Sequence, residues 1–213
     1  KSFSGQFCRT DTMLLVAFMA TFNLKCSFTL TTIADQMGQL FDHDTATQLA
    51  TAFNVAFPLG GLITSILAAL LLQYFDERED IYITISLVLI LIYCLFSLFP
   101  YVTAQYVAML LFGPSRTLQW ATYFHLLSQP SRYSQKFNGR LIGYGNLIIA
   151  LVGNVPPYTL NKVVSNNDNI FGFVATSSTR YLAVHLVLFL TMLTSIALPV
   201  NLSHSLSISQ QST

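Results

Sequence analysis

Charge is what this sequence has least of. Of its 213 residues 9% are charged and 53% hydrophobic, where a soluble domain carries about 25% charge. A soluble fold of this size needs a polar skin, and so few charges cannot supply one. The net charge of +1 argues against nucleic acid as a partner, because binding it needs a basic face. Cysteine is scarce as well. Cys8, Cys26 and Cys94 are odd in number, the last two fall inside apolar runs, and no CxxC or Cys/His spacing points to a metal. Catalytic signatures are missing: there is no GxSxG, no HExxH and no glycine-rich loop after a strand. The sequence therefore predicts neither an enzyme nor a cofactor. His43, His125, His185 and His204 lie at scattered depths, which excludes a bis-histidine haem arrangement. The N-terminus shows no basic region followed by an apolar run and a cleavage site. The chain opens on Lys1 and is expected to be a piece of a longer one.

What the sequence does have is a succession of apolar runs, each about the 20 residues that cross a hydrocarbon core. In lipid the backbone must satisfy itself, so each run is expected to be a helix. Six are predicted, over about 11–39, 45–74, 81–99, 101–128, 136–160 and 180–200. Residues 1–10 precede them as a linker, and the Ser/Gln-rich residues 203–213 are expected to be disordered. The runs are continuous rather than alternating, which excludes a β-barrel. In the first, Thr21, Lys25, Thr29, Thr32 and Gln36 recur at the spacing of one helical face. The second carries Asn54, Pro58, Gly60 and Gly61. The fourth carries Gln105, Arg116, Gln119 and Tyr123, with a kink expected at Gly113-Pro114. The fifth carries Gly139, Gly143, Gly145, Asn146 and Asn154. The third and sixth have no polar stripe and are expected to lie outermost. The longest connection is the polar loop Val163–Ser178. Six spans put both termini on one side, with basic residues six against two in favour of that side. The positive-inside rule then makes it the cytosol or matrix; the expected location is a multi-pass one in the plasma membrane or the mitochondrial inner membrane, which the rule does not distinguish.

Two cations fall where a cation is expensive. Lys25 and Arg116 each lie about fifteen residues into a span, near the midplane at 1.5 Å per residue. A central Lys or Arg costs about 2.5–3.5 kcal/mol on insertion scales. Such residues face a water-filled pathway or a substrate, or else pair structurally with an acid or backbone carbonyls. No acid within the spans is an evident mate: Asp35 lies toward the far end of the first. Asn54, Gln119, Asn146 and Asn154 could hydrogen-bond a polar solute or join helices to one another. Gly60-Gly61 and Gly139-x3-Gly143 are expected at close helix contacts. Pro58, Pro114 and Pro156-Pro157 are expected to break their helices and expose backbone groups.

The order of features then becomes informative. Asn23-Leu24-Lys25 stands in the first span. The second runs Phe53-Asn54-Val55-Ala56-Phe57-Pro58-Leu59-Gly60-Gly61 and ends Gln73-Tyr74-Phe75-Asp76. The fourth holds Ser115-Arg116-Thr117, and the fifth opens Phe137-Asn138-Gly139-Arg140-Leu141-Ile142-Gly143. This resembles helices seven to twelve of the major facilitator superfamily, and within it the solute carrier family 43 branch of facilitative large neutral amino acid transporters. The loop after the second span is shorter than in that branch. Asp76 and Arg78 stand without the glycine and following basic residues of the superfamily's loop motif. The resemblance implies an all-α membrane protein: six transmembrane helices forming half of a twelve-helix carrier. Its partners would be the lipid bilayer, a small zwitterionic solute and a second six-helix bundle in the same or a partner chain. Arg116 and Lys25 would then face the solute, with Asn54, Gln119 and Asn146 beside them. The alternative is a transporter-derived structural or accessory subunit of a larger membrane complex, without transport activity.

Overall fold

A computed structural model describes residues 2–75, 78–165 and 177–203. Asp76 and Glu77 of the acidic run, loop residues 166–176, and the tail from His204 onward lie outside the described residues. Among the described residues every regular element is helical. A short α1 (Phe3–Phe7) precedes six long helices: α2 (Thr10–Leu40), α3 (His43–Tyr74), α4 (Glu79–Phe96), α5 (Val102–Ser128), α6 (Asn138–Ser165) and α7 (Ser177–Leu193). A 3₁₀ turn at Thr194–Ile196 follows α7, and helix resumes over 197–203.

The helix ends follow local chemistry. Asp42 caps α3, its carboxylate accepting from the Thr45 amide at 3.1 Å and the Thr45 hydroxyl at 2.8 Å, the usual service of an N-cap acid. Thr45 holds the Asp42 carboxyl below the ordinary carboxylate range. Helix α5 starts just after Pro100 and stops at Ser128, ahead of Pro130, because the residue before a proline disfavours the helical region. The helices do not break at their internal prolines, contrary to the sequence expectation. Helices α3, α5 and α6 run on through Pro58, Pro114 and Pro156-Pro157, as neighbouring helices allow in apolar bundles.

Among the described residues four helical stretches are long and apolar enough to cross a membrane: Thr10–Leu40, His43–Tyr74, Glu79–Phe96 and Thr179–Ser203. They make the chain compatible with a multi-pass membrane protein. Helices α5 and α6 have the length but fall short in apolarity, because they carry Gln105, Arg116 and Gln119, and Arg140, Asn146, Asn154 and Lys162.

The packing has an internal regularity. The two most extensive helix pairs are α3 with α5 and α2 with α6. Exchanging the triplet α2–α4 for the triplet α5–α7 turns one of these pairs into the other. The same exchange relates α4·α5 to α2·α7, α2·α3 to α5·α6, and α3·α4 to α6·α7, all of which are in contact. The core is built on α2, with Phe18, Met19, Phe22 and Cys26 buried against Tyr93 and Cys94 of α4 and Phe112 and Tyr123 of α5.

Exposure corrects the expectation about the outermost helices. In α3 only 11% of the most apolar stretch is buried, against 44% in α4. Val55, Leu59, Leu62, Ile63, Ile66 and Leu70 of α3 are all exposed. Within this chain α3 and α6 are each paired mainly with a single helix, whereas α4 and α7 also touch each other.

Glycines mark where backbones meet. A Cβ on Gly60 would stand 2.8 Å from the Pro114 ring, and one on Gly113 would stand 2.5 Å from the Phe57 carbonyl oxygen. Gly145 lies against the Tyr123 hydroxyl and Gly153 against the Asn23 amide. Gly139 and Gly143, expected at a helix contact, instead face open space. The close approaches of α6 are made at Gly145 and Gly153.

Candidate functional site

Three groups of polar residues stand out, and they occupy different parts of the bundle. The first is an ion-pair network at one end. Arg9 reaches Asp11 at 2.7 Å and donates to the Arg132 carbonyl at 2.9 Å. Arg132 stands 2.7 Å from Glu79 and 3.7 Å from Asp11. Thr12 shares a 2.8 Å hydrogen bond with Tyr133, and Ser134 donates its amide to Gln6 at 2.9 Å. These contacts tie the starts of α2 and α4 to the α5–α6 connection. Burial pushes the Tyr133 phenol up, with the Thr12 hydrogen bond and nearby arginines pulling it back.

The second group surrounds Arg116. Helix α5 presents it toward α3, half-buried, its guanidinium carbon 5.8 Å from the centre of the Phe57 ring. It makes no ion pair or hydrogen bond among the described residues. One turn before Phe57 on α3, Asn54 is exposed. Gln119 is fully buried and donates to the Met19 carbonyl at 3.0 Å, which joins α5 to α2. Its Oε1, the Ser115 hydroxyl and the Asn146 Oδ1 have no partner among the described residues. A buried oxygen left without a donor costs about 1–3 kcal/mol. Such atoms collect where water or a solute completes them. Asn154, by contrast, accepts from Ser27 at 3.0 Å and joins α6 to α2.

The third group surrounds Lys25, which turns toward α4 and α7 rather than sharing a space with Arg116. The side chain is completely buried. Its Nζ donates to Ser97 Oγ at 2.8 Å, contacts His185 Nδ1, and stands 5.5 Å from the centre of the Tyr93 ring. With the ammonium donating to Nδ1, the His185 ring must carry its hydrogen on Nε2, and that atom lies 2.8 Å from Gln36 Oε1. Ser97 donates its own hydroxyl to the Cys94 carbonyl at 2.7 Å. Thr29 and Tyr93 share a further hydrogen bond of 2.9 Å. A cavity of about 350 Å³ opens beside this cluster at the end opposite the ion pairs, with Gln36, Ser97, Gln105, Tyr181 and His185 in its wall.

No protein-family model, curated protein or solved structure matches this chain. Its function therefore has to be argued from these three groups. Asn54, Arg116, Gln119 and Asn146 lie on α3, α5 and α6, while Lys25 belongs to the other side of α2. The sequence reading placed Gln105 on the polar face of the fourth span but did not single out His185 and Ser97 as partners of Lys25. The available signal was the α2 stripe running through Lys25, Thr29, Thr32 and Gln36, which requires polar partners from other helices. Among the described residues no group of three or more His, Cys, Asp or Glu side chains could hold a metal ion.

Proposed function

We propose that this chain is one six-helix half of a major facilitator superfamily transporter, related to the solute carrier family 43 branch, and that it carries a small zwitterionic solute, neutral amino acids first. In this reading Arg116 holds the solute carboxylate, and Asn54, Gln119 and Asn146 supply neutral polar contacts around it. The observation that carries the reading is the Arg116 guanidinium itself. It is half-buried deep in a helix and has no ion pair or hydrogen bond among the described residues, and Gln119, one turn further along α5, keeps an oxygen without a donor. A structural arginine at such depth pairs with an acid or with backbone carbonyls; this one is kept for a partner from outside the bundle.

The exchange-related packing of α2–α4 and α5–α7 supports the same reading. Three-helix repeats of this kind, inverted across the membrane, build the six-helix halves of such transporters. Alternating access is then a rocking of two bundles about a site between them. The exposed faces of α3 and α6 would meet the second bundle.

The energetics are sufficient. Opposite unit charges 4 Å apart attract by about 4 kcal/mol at an effective dielectric near 20, which is the size of a millimolar binding free energy. The test is uptake of neutral amino acids into proteoliposomes by the complete transporter. Arg116→Gln should abolish uptake while the protein still inserts and folds. Arg116→Lys keeps the charge but loses the planar fork, and should raise the half-saturating concentration by about tenfold. Unchanged uptake in Arg116→Gln would leave the residue a structural role and favour the accessory-subunit reading.

A further inference from the structure

Lys25 poses a separate question, because its charge is buried and unanswered. Its contacts are a serine hydroxyl, a neutral histidine nitrogen and a tyrosine ring. No ion pair to it exists among the described residues. A buried ammonium is normally matched by an acid, since desolvation is repaid only by an opposite charge in good geometry. Among the described residues no carboxylate fills that role. Asp35, whose charge reaches Tyr181 at the cavity wall, is itself exposed and screened by solvent.

We propose that the 350 Å³ cavity beside Lys25 is a binding site for a small monovalent anion, a halide or a short carboxylate. Gln36 is the group that would touch it. Its side chain is 3% exposed and borders the cavity. The His185 N–H at 2.8 Å commits Oε1 and so fixes the amide the right way round. That leaves Nε2, whose hydrogens meet no acceptor among the described residues. A donor at the cavity wall without a protein acceptor is free to hydrogen-bond an anion held there. Ser97 cannot take this part: its oxygen accepts from Lys25 and its proton goes to Cys94.

The rest of the wall agrees in sign. Beside Leu40, Leu98, Pro100 and Leu182 it offers amides, hydroxyls and the His185 ring, with no carboxylate among the described residues. The Lys25 ammonium lies directly behind Ser97 and His185, so its field favours an anion in the cavity and opposes a cation. The volume admits a chloride with part of its hydration shell, or an acetate-sized carboxylate. Arg116 does not line this cavity, and the proposal stands whether or not the chain transports amino acids.

The experiment is thermal unfolding of the full-length protein in lipid nanodiscs at constant ionic strength. Chloride and acetate are each titrated in place of isethionate, a bulky sulfonate. A ligand that binds only the folded state stabilises it by mass action. The wild-type midpoint should therefore rise by about 5 °C at a hundredfold excess over Kd. A rise in chloride alone identifies a halide site, and a rise with acetate identifies a carboxylate site. Lys25→Met should abolish the rise, whatever it does to the starting midpoint. Gln36→Met should weaken the apparent affinity by about tenfold. Lys136→Met, an exposed cation at the opposite end, should leave the rise unchanged. Equal midpoints in all three salts overturn the proposal, as does a rise that survives Gln36→Met at full affinity. That second variant decides the matter if Lys25→Met does not fold.

Discussion

At Gly113 an added Cβ would meet the Phe57 carbonyl oxygen at 2.5 Å and the Gly61 nitrogen at 3.0 Å. Both are backbone atoms of α3 and cannot rotate away, so the helices themselves would have to part. Gly113→Ala is expected to cost about 1–3 kcal/mol, the usual range for overpacking. Gly143→Ala, on the same kind of helix but facing open space, should be neutral or stabilise by up to about 1 kcal/mol through helix propensity. Unfolding midpoints of the two variants check this, and equal effects would sink the distinction. From sequence the Gly60-Gly61 and Gly139-x3-Gly143 pairs look alike, because spacing reports a face and not what stands opposite it. Lys25 carries the same lesson. Its depth was legible from its place in the first span, as was the polar stripe running to Gln36. Its partners Ser97 and His185 lie 72 and 160 residues away, and no local pattern connects them.

Among the elements, α3 depends least on burial and so leans most on its own ends. The Asp42 cap satisfies an amide that has no intrahelical partner. Thr45 holds the Asp42 carboxyl below its ordinary range. A depressed acid contributes stability that is present above the unfolded-state value and lost as pH falls through the folded-state value. Asn caps about as well as Asp but does not titrate in this range. Wild type and Asp42→Asn should therefore melt alike at pH 6, with wild type falling further by pH 3. Parallel curves down to pH 3 would rule the cap out as a pH-sensitive contributor. The ends of α3 and α5 were legible in sequence because the apolar runs start and stop close to where the helices do, and the cap and prolines at those ends act only on adjacent residues. The continuity of α3, α5 and α6 through their prolines was not. Whether a proline breaks a helix depends on what the neighbouring helices offer the freed backbone groups, and that is a property of the bundle.

For the molecule as a whole, the two ends are chemically different. Arg9, Asp11, Glu79 and Arg132 meet at one end, and Gln39, Pro100 and Thr179 surround the cavity at the other. Consecutive long helices therefore run antiparallel, while the closely packed pairs α3·α5 and α2·α6 run parallel, and the charged end gathers the residues that the positive-inside rule assigns to the cytosol or matrix. The charge asymmetry was legible in sequence, whereas the exchange of partners between the α2–α4 and α5–α7 triplets needed coordinates. Topology can be tested with thiols already in the chain. Cys8 is exposed and lies at the charged end, while Cys26 and Cys94 are buried. A membrane-impermeant maleimide should label Cys8 from the side that also labels Ser134→Cys in a Cys8→Ser background. Asp44→Cys, exposed at the start of α3, should react only from the opposite side. Intact proteoliposomes of known orientation, compared before and after permeabilisation, separate the two. Labelling of Ser134→Cys and Asp44→Cys from the same side would mean that α2–α5 do not cross the bilayer as an antiparallel set.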